Sequence, residues 1–212
     1  MTRLLVASRN RKKLAELHRV LDAAGVSGLT LLTLDDVPPY DEAPEIGATF
    51  EENAIAKARD GFAATGLPTL ADDSGIEVSA LNGMPGVLSA RWAGGHGDDA
   101  ANYRLLLDQL GDVPDDRRGA AFVSACALVT GADDVTVVRG VWPGAIAREP
   151  LGEGGFGYDP VFYYEPAGKT FAQMAPAEKN AVSHRGRAIR QLRDRLLEFI
   201  RTGAAREPRP LR

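Results

Sequence analysis

The chain has almost no sulfur chemistry available to it, with a single cysteine, Cys126, in 212 residues. One thiol cannot close an internal disulfide, so the fold is expected to depend on its core and to suit a reducing cytoplasm. Within "FVSACALV" that thiol reads as a buried strand residue rather than a nucleophile. Excess positive charge is also missing. A formal net charge of -4 removes the general electrostatic case for a nucleic-acid partner, and a polyanionic ligand would have to be met by a local basic cluster. No apolar run approaches membrane-spanning length, and "MTRLLVAS" has neither the length nor the cleavage pattern of a signal peptide, so neither membrane association nor export is expected. Walker A, H-E-x-x-H and G-x-S-x-G motifs are absent, which withdraws the usual support for P-loop, zincin and α/β-hydrolase chemistry. Internal repeats and low-complexity linkers are absent too.

What is present is ordinary globular composition, 44% apolar and 25% charged, over a length that can bury a substantial core. "RLLVAS" reads as a buried strand and "LAELHRVLDAAG" as a helix, with Leu14, Leu17, Leu21 and Ala24 on one face and Gly25 as the stop. "LTLLTLDDV" is a second strand and "PPYDEAPEIG" a loop. "TFEENAIAKARDGFAATG" starts with a capping box, Thr49 and Glu52, and predicts a helix to Gly66. "PTLADDSGIEVSAL" reads as a strand, an acidic turn and a second strand. "DDAANYRLLLDQLG" is a helix with an acidic start, and "AAFVSACALVTGADDVTVVRGV" a hairpin turning at "TGADD". "SHRGRAIRQLRDRLLEFI" is the last helix. The pattern predicts one α/β domain over residues 1–200 with an internal cleft, and a frayed basic tail over 201–212.

"GEGGFGYDP" contains G-x-G-x-x-G, the spelling of a dinucleotide-binding loop. That motif has physical meaning only when a helix N-terminus follows it. Here "VFYY", a strand pattern, follows instead. The stretch is therefore expected to be a glycine-rich turn that places Phe156, Gly157, Tyr158 and Asp159.

Three separated clusters could carry chemistry. In "SRNRKK", Ser8, Asn10 and Lys13 with Arg9, Arg11, Lys12 and the free N–H groups of a helix start would make an anion site. Lysines at a helix N-terminus oppose its dipole, so capping alone leaves them unexplained. In "ADDSG", Asp72 and Asp73 would be adjacent carboxylates in a tight turn, easier to place together if a divalent cation joins them; an Asx-type turn is the plain structural account. In "EKNAVSHRG", Lys179, His184 and Arg185 form a basic cluster at a helix start. Asn53 and Lys57 share a helix face, and Glu45 lies in the preceding loop, where a surface carboxylate is the ordinary reading. His18 and His96 read as structural. Basic groups at three positions and a carboxylate pair suit a Mg²⁺-triphosphate, with Phe156 and Tyr158 as stacking faces for a base and Asp159 as an acceptor.

"SRNRKK", "EIGATFEENAIAKA", "ADDSG", "GMPGVLSARWAG", "GGFGYDPVF" and "EKNAVSHRG", in this order, resemble the inosine triphosphate pyrophosphatase family, from Leu4 to about Leu197. The resemblance implies an elongated α/β fold, two lobes around a long mixed β-sheet with a central substrate cleft, and a homodimer. It implies Mg²⁺-dependent hydrolysis of ITP, dITP or XTP between the α and β phosphates, cleansing the nucleotide pool of deaminated purines. By position, Asp73 looks like the proton acceptor and, with Glu45, a metal ligand. Ser8 to Lys13, Lys57 and Lys179 look like phosphate contacts, and Ser74, Phe156 to Asp159, His184 and Arg185 like nucleoside contacts. Arg9 departs from the family pattern, where glycine is common, and adds a charge to the phosphate loop. Two rivals remain at this level: a pyrophosphatase for a different modified base, such as UTP or dTTP analogues, and a regulator that binds nucleotides without hydrolysing them.

Overall fold

A computed structural model describes residues 2–42, 44–182 and 184–202, without the side chains of Lys12, Asn180, Ala181 and Val182. The expected basic tail lies outside the described residues from position 203 onward; Arg201 and Thr202 close the last helix. Among the described residues the contacts form two units: those within Met1–Asp73, Ala125–Arg139 and Arg187–Arg212, and those within Ser74–Ser124 and Gly140–Gly186. Seven strands make one mixed sheet in the order β2-β1-β3-β4-β5-β6-β7, which bears out the mixed α/β class.

In the first unit, β1 (Thr2–Val6) carries Leu4 and Leu5, both fully buried, as a parallel strand covered on both faces requires. Helix α1 (Arg11–Ala23) follows, its Leu17, Val20 and Leu21 buried. It ends where Gly25 adopts φ +69° and Val26 N–H reaches the Leu21 carbonyl at 3.1 Å, the left-handed stop the sequence predicts. β2 (Leu29–Leu32) pairs parallel to β1, and the rest of the predicted strand, Leu34–Asp36, is a single 3₁₀ turn capped by Thr33. Helix α2 (Phe50–Thr65) begins at Thr49, whose hydroxyl accepts the Glu52 N–H; the Glu52 carboxylate bonds Ala48 N–H at 2.7 Å. Thus the cap forms with its reciprocal arm one residue earlier than the capping-box pattern predicts.

β3 (Thr69–Val78) pairs parallel to β1 on the side away from β2. The chain therefore leaves β1 to one side through α1 and arrives on the other through α2. Such a switch opens a crevice at the carboxyl ends of the strands, where ligands bind in open α/β sheets. β3 is one continuous strand of ten residues, which corrects the predicted strand, acidic turn and second strand: Asp72 and Asp73 lie mid-strand, so no Asx-type turn exists there. The core of this unit is completed by Cys126 and Leu128, and by Ala188, Ile189, Leu192 and Leu196 of α5 (His184–Thr202).

In the second unit, α3 (Asp99–Gln109) is capped by Asp98, and β4 (Gly119–Gly131) turns through Ala132 and Asp133 into β5 (Asp134–Ile146), the predicted hairpin. β6 (Phe162–Tyr164) and β7 (Lys169–Thr170) add antiparallel strands. A short helix not anticipated from sequence, α4 (Pro176–Val182), precedes α5. Phe122, Trp142, Phe162 and Phe171 pack with centroids 4.5–6.5 Å apart, tilted and offset as ring quadrupoles favour.

Candidate active site

The loop before α1 leads into a helix start where the sequence predicts one. Asn10 N–H reaches Ser8 Oγ at 3.3 Å, and Asn10 Oδ1 accepts the Lys13 N–H at 3.2 Å, so Asn10 is the helix cap. The Lys13 ammonium lies 3.3 Å from Asp72 Oδ2, which supplies the counter-charge that a lysine at a helix start otherwise lacks. Arg9 turns outward: its guanidinium holds Glu42 Oε1 at 2.6 and 2.7 Å and is 75% exposed. A cavity of about 450 Å³ opens beside this loop, lined by Ser8, Arg9, Arg11, Tyr40 and Glu42 among others. Arg11 is exposed, and the Lys12 side chain lies outside the described residues.

Successive residues of a strand point to opposite faces, so placing "ADDSG" mid-strand separates the two carboxylates. Asp72 meets Lys13, and Asp73 meets α2, where Lys57 Nζ lies 3.1 Å from Asp73 Oδ1 and Asn53 Nδ2 donates to Asp73 Oδ2 at 3.0 Å. Each carboxylate thus has its own ammonium partner. Lys57 also joins Asp73 to Glu45, whose Oε1 is 2.7 Å from the same ammonium. Asn53, 2% exposed, also accepts the Gly47 N–H at 2.8 Å, tying the Glu45 loop to the strand. The Asn53–Lys57 spacing was the legible signal; that Asn53 would grip Asp73 was not.

Burial pushes the Asp73 carboxyl above its usual range. Lys57, Lys13 and the Asn53 hydrogen bond pull it down without cancelling that effect, and Glu45 adds to the rise. Burial would lower Lys57, but Asp73, Glu45 and Asp72 together hold it above its usual value, so it stays charged at neutral pH. A carboxylate of raised basicity beside fixed cations suits proton abstraction from water. Glu45 and Asp73 are the oxygen donors here that could hold a divalent cation. Among the described residues no cluster of three or more His, Cys, Asp or Glu side chains could hold a metal ion, so further ligands would have to be water or phosphate.

The second unit holds the other predicted residues. Gly155 has φ +75°, and a Cβ there would stand 1.9 Å from Asp159 Oδ2, so only glycine lets the turn close. Asp159 is 2% exposed and already engaged: it accepts the Phe156 N–H at 2.8 Å and the Lys179 ammonium at 2.5 Å. Lys179 also stands 5.0 Å from the Phe156 ring centroid. Gly157 N–H donates to Asp99 at 2.8 Å. Tyr158 is buried in the core with its hydroxyl donating to the Ser89 carbonyl at 2.8 Å, and burial, then Asp99, raises its pKa. His184 stacks on Phe122 at 4.9 Å, and the Arg185 guanidinium, 1% exposed, donates to Ser74 Oγ at 3.2 Å.

The predicted residues thus gather into two groups. Ser8, Asn10, Lys13, Glu45, Lys57 and Asp73 belong to the first unit, and Ser74, Phe156 to Asp159, Lys179, His184 and Arg185 to the second. Asp99 and Ser89, which hold the glycine-rich loop, carry no sequence signal because their partners lie 58 and 69 residues away. Cys126 is buried in β4 as expected, whereas His18 and His96 are exposed.

A parallel-strand switch point that presents a capped, basic helix start and a buried Asp73 joined through Lys57 to an exposed Glu45 defines an α/β protein suited to phosphate groups. Residues 4–195 match the Ham1 family model, and the chain belongs to that family. A dITP/XTP pyrophosphatase of Mycolicibacterium paratuberculosis is 75% identical over 91% of this chain and 94% of its own length. The crystal structure of a nucleoside-triphosphatase, dITP/XTP pyrophosphatase, from Mycobacterium abscessus is 63% identical with a TM-score of 0.75, covering 90% of this chain and 97% of its own. A HAM1 protein from Coxiella burnetii, 42% identical, superposes with a TM-score of 0.83 over 93% of this chain and all of its own. The family resemblance drawn from the six motifs is borne out.

Proposed function

We propose that the protein hydrolyses nucleoside triphosphates of deaminated purines, dITP, ITP and XTP, between the α and β phosphates, giving the monophosphate and pyrophosphate. The observation that carries this reading is Asp73, a buried carboxylate of raised basicity held by Lys57 and Asn53 within the same unit as the capped Ser8–Lys13 loop. A relative named dITP/XTP pyrophosphatase is 75% identical over 91% of the chain, which supports this reading.

The loop N–H groups and the cations of Lys13 and Lys57 would hold phosphate oxygens, and Asp73 would take a proton from the attacking water. The water oxygen would bond to the α-phosphorus as the α–β anhydride bond breaks, pyrophosphate leaving with the bridging oxygen and the proton remaining on Asp73 until released to solvent. Glu45 and Asp73 fit Mg²⁺, which prefers oxygen ligands and commonly takes one or two carboxylates plus substrate phosphates. Bound there, it would supply charge neutralisation on the phosphates and acidify water. As the family resemblance implies, Phe156 would offer an aromatic face, and Ser74, His184 and Arg185 polar groups, to the nucleoside. A donor aimed at the 6-oxo group penalises adenine's amino group. Guanine shares the 6-oxo group, so its rejection must come from the 2-position. We take the active form to be a cytoplasmic homodimer, as the family resemblance implies. Among the described residues no helix is long and apolar enough to cross a membrane.

Pyrophosphate release from ITP, GTP and UTP, with Mg²⁺ and then with EDTA, tests the reading. Metal-dependent release from ITP far above GTP is expected. Dominant UTP turnover would move the substrate to another base, orthophosphate as the product would place the cut at the γ position, and binding without release would make the protein a regulator.

A further inference from the structure

On helix α3, Asp99 and Asn102 are three positions apart and so on one face. Asn102, 2% exposed, accepts the Ala93 N–H at 2.8 Å and donates to the Ala90 carbonyl at 3.3 Å. Asp99 accepts the Gly157 N–H at 2.8 Å. The helix does not need Asp99 as a cap, because Asp98 already accepts the Ala101 N–H at 2.9 Å. One helix face therefore grips two loops. These loops are bonded to each other and to β3: the Tyr158 hydroxyl donates to the Ser89 carbonyl at 2.8 Å, and Ser89 Oγ accepts the Ile76 N–H at 2.9 Å. Gly157 itself sits at φ +62°, and its part-buried N–H is the one Asp99 accepts.

We infer that Asp99 is a positioning residue for base selection: by accepting the Gly157 N–H it fixes the Phe156–Tyr158 backbone against which the nucleobase is read. This rests on the proposed nucleotide reading of the second unit. Of the other holds on this loop, the Asp159 carboxylate bonds the Phe156 N–H and the Tyr158 hydroxyl reaches Ser89; the peptide between them is held by α3. An acidic residue in the first turn also favours the helix dipole, so the test must separate a local hold on Gly157 from a contribution to the helix alone.

The experiment is steady-state pyrophosphate release from ITP and from GTP by the full chain, for wild type, Asp99→Ala and Asp99→Asn, with thermal melts of each. A charge-assisted hydrogen bond lost from a half-buried peptide predicts an ITP KM raised about tenfold in Asp99→Ala, with kcat within about twofold. The ITP-to-GTP preference should fall by a similar factor, and Asp99→Asn, which retains an acceptor, should recover most of both. Asp99→Ser, which keeps a helix-start hydroxyl but shortens the reach, gives the same readout should the alanine variant not fold. An unchanged ITP-to-GTP preference in the truncated variants overturns the inference, whether activity is intact or both substrates and the melting temperature fall together. Wild-type protein with no preference for ITP would instead defeat the nucleotide reading, so the two failures are seen in different proteins.

Discussion

At Asp73, burial favours the neutral acid while Lys57, Lys13 and Asn53 favour the carboxylate; burial prevails, and the pKa lies above the usual 3.8. The ionised group is therefore less comfortable in the fold than in the unfolded chain, and its contribution to stability falls as pH rises from 3.8 through the raised folded value. Asp73→Asn should accordingly melt at the same temperature or higher at pH 7, while turnover of ITP drops about 10²- to 10⁴-fold, the range for loss of a general base. A variant that melts earlier, or one that keeps wild-type kcat, would contradict this assignment. In the metal-free protein the same raised pKa places the Asp73 titration above the ordinary aspartate range, as NMR would read it. Lys57 lowers the Asp73 pKa, so Lys57→Met should move that titration to still higher pH, read by NMR of the metal-free protein. It should also destabilise the fold, because Glu45 and Asp73 lose the ammonium they share.

Among the elements, the glycine-rich loop and α5 show two kinds of constraint. Gly155→Ala puts a methyl group into the Asp159 carboxylate at a backbone angle that favours glycine. It should raise KM for ITP at least about tenfold, through displacement of Phe156, and cost about 1–3 kcal/mol of stability, the usual size of stored backbone strain. Helix α5 contributes apolar burial to the first unit: Leu192 is fully buried in its core. Leu192→Ala should cost about 2–5 kcal/mol, seen in denaturant unfolding, with the ITP KM unchanged in the folded fraction. β3 is the element the sequence misled on. Asp-Asp-Ser-Gly has turn composition, yet its place between β1 and β4 in the sheet and burial of Leu70, Ala71, Ile76 and Val78 carry it through as one strand.

For the whole molecule, a nucleotide that binds only the folded state must raise its melting temperature in proportion to the logarithm of ligand concentration. ITP with Mg²⁺, assayed with Asp73→Asn to prevent turnover, should stabilise far more than Mg²⁺ alone, because the described residues lack a closed metal cluster. Equal stabilisation by Mg²⁺ alone would show a protein-only metal site.

The mixed α/β class, the helix starts at Asn10 and Thr49, the stop at Gly25 and the hairpin after Thr130 were legible in the amino-acid order, because each follows from local periodicity, capping or glycine geometry. Family membership was legible for a different reason: six short motifs in order are too specific to arise from composition. Tertiary structure alone decided that Asp72 and Asp73 part to different lysines, that Arg9 turns to Glu42, and that Asp159 and Tyr158 hold the loop from within. Those outcomes depend on strand pairing and on partners up to 69 residues apart, and no periodicity within a segment encodes which distant group will satisfy a buried charge.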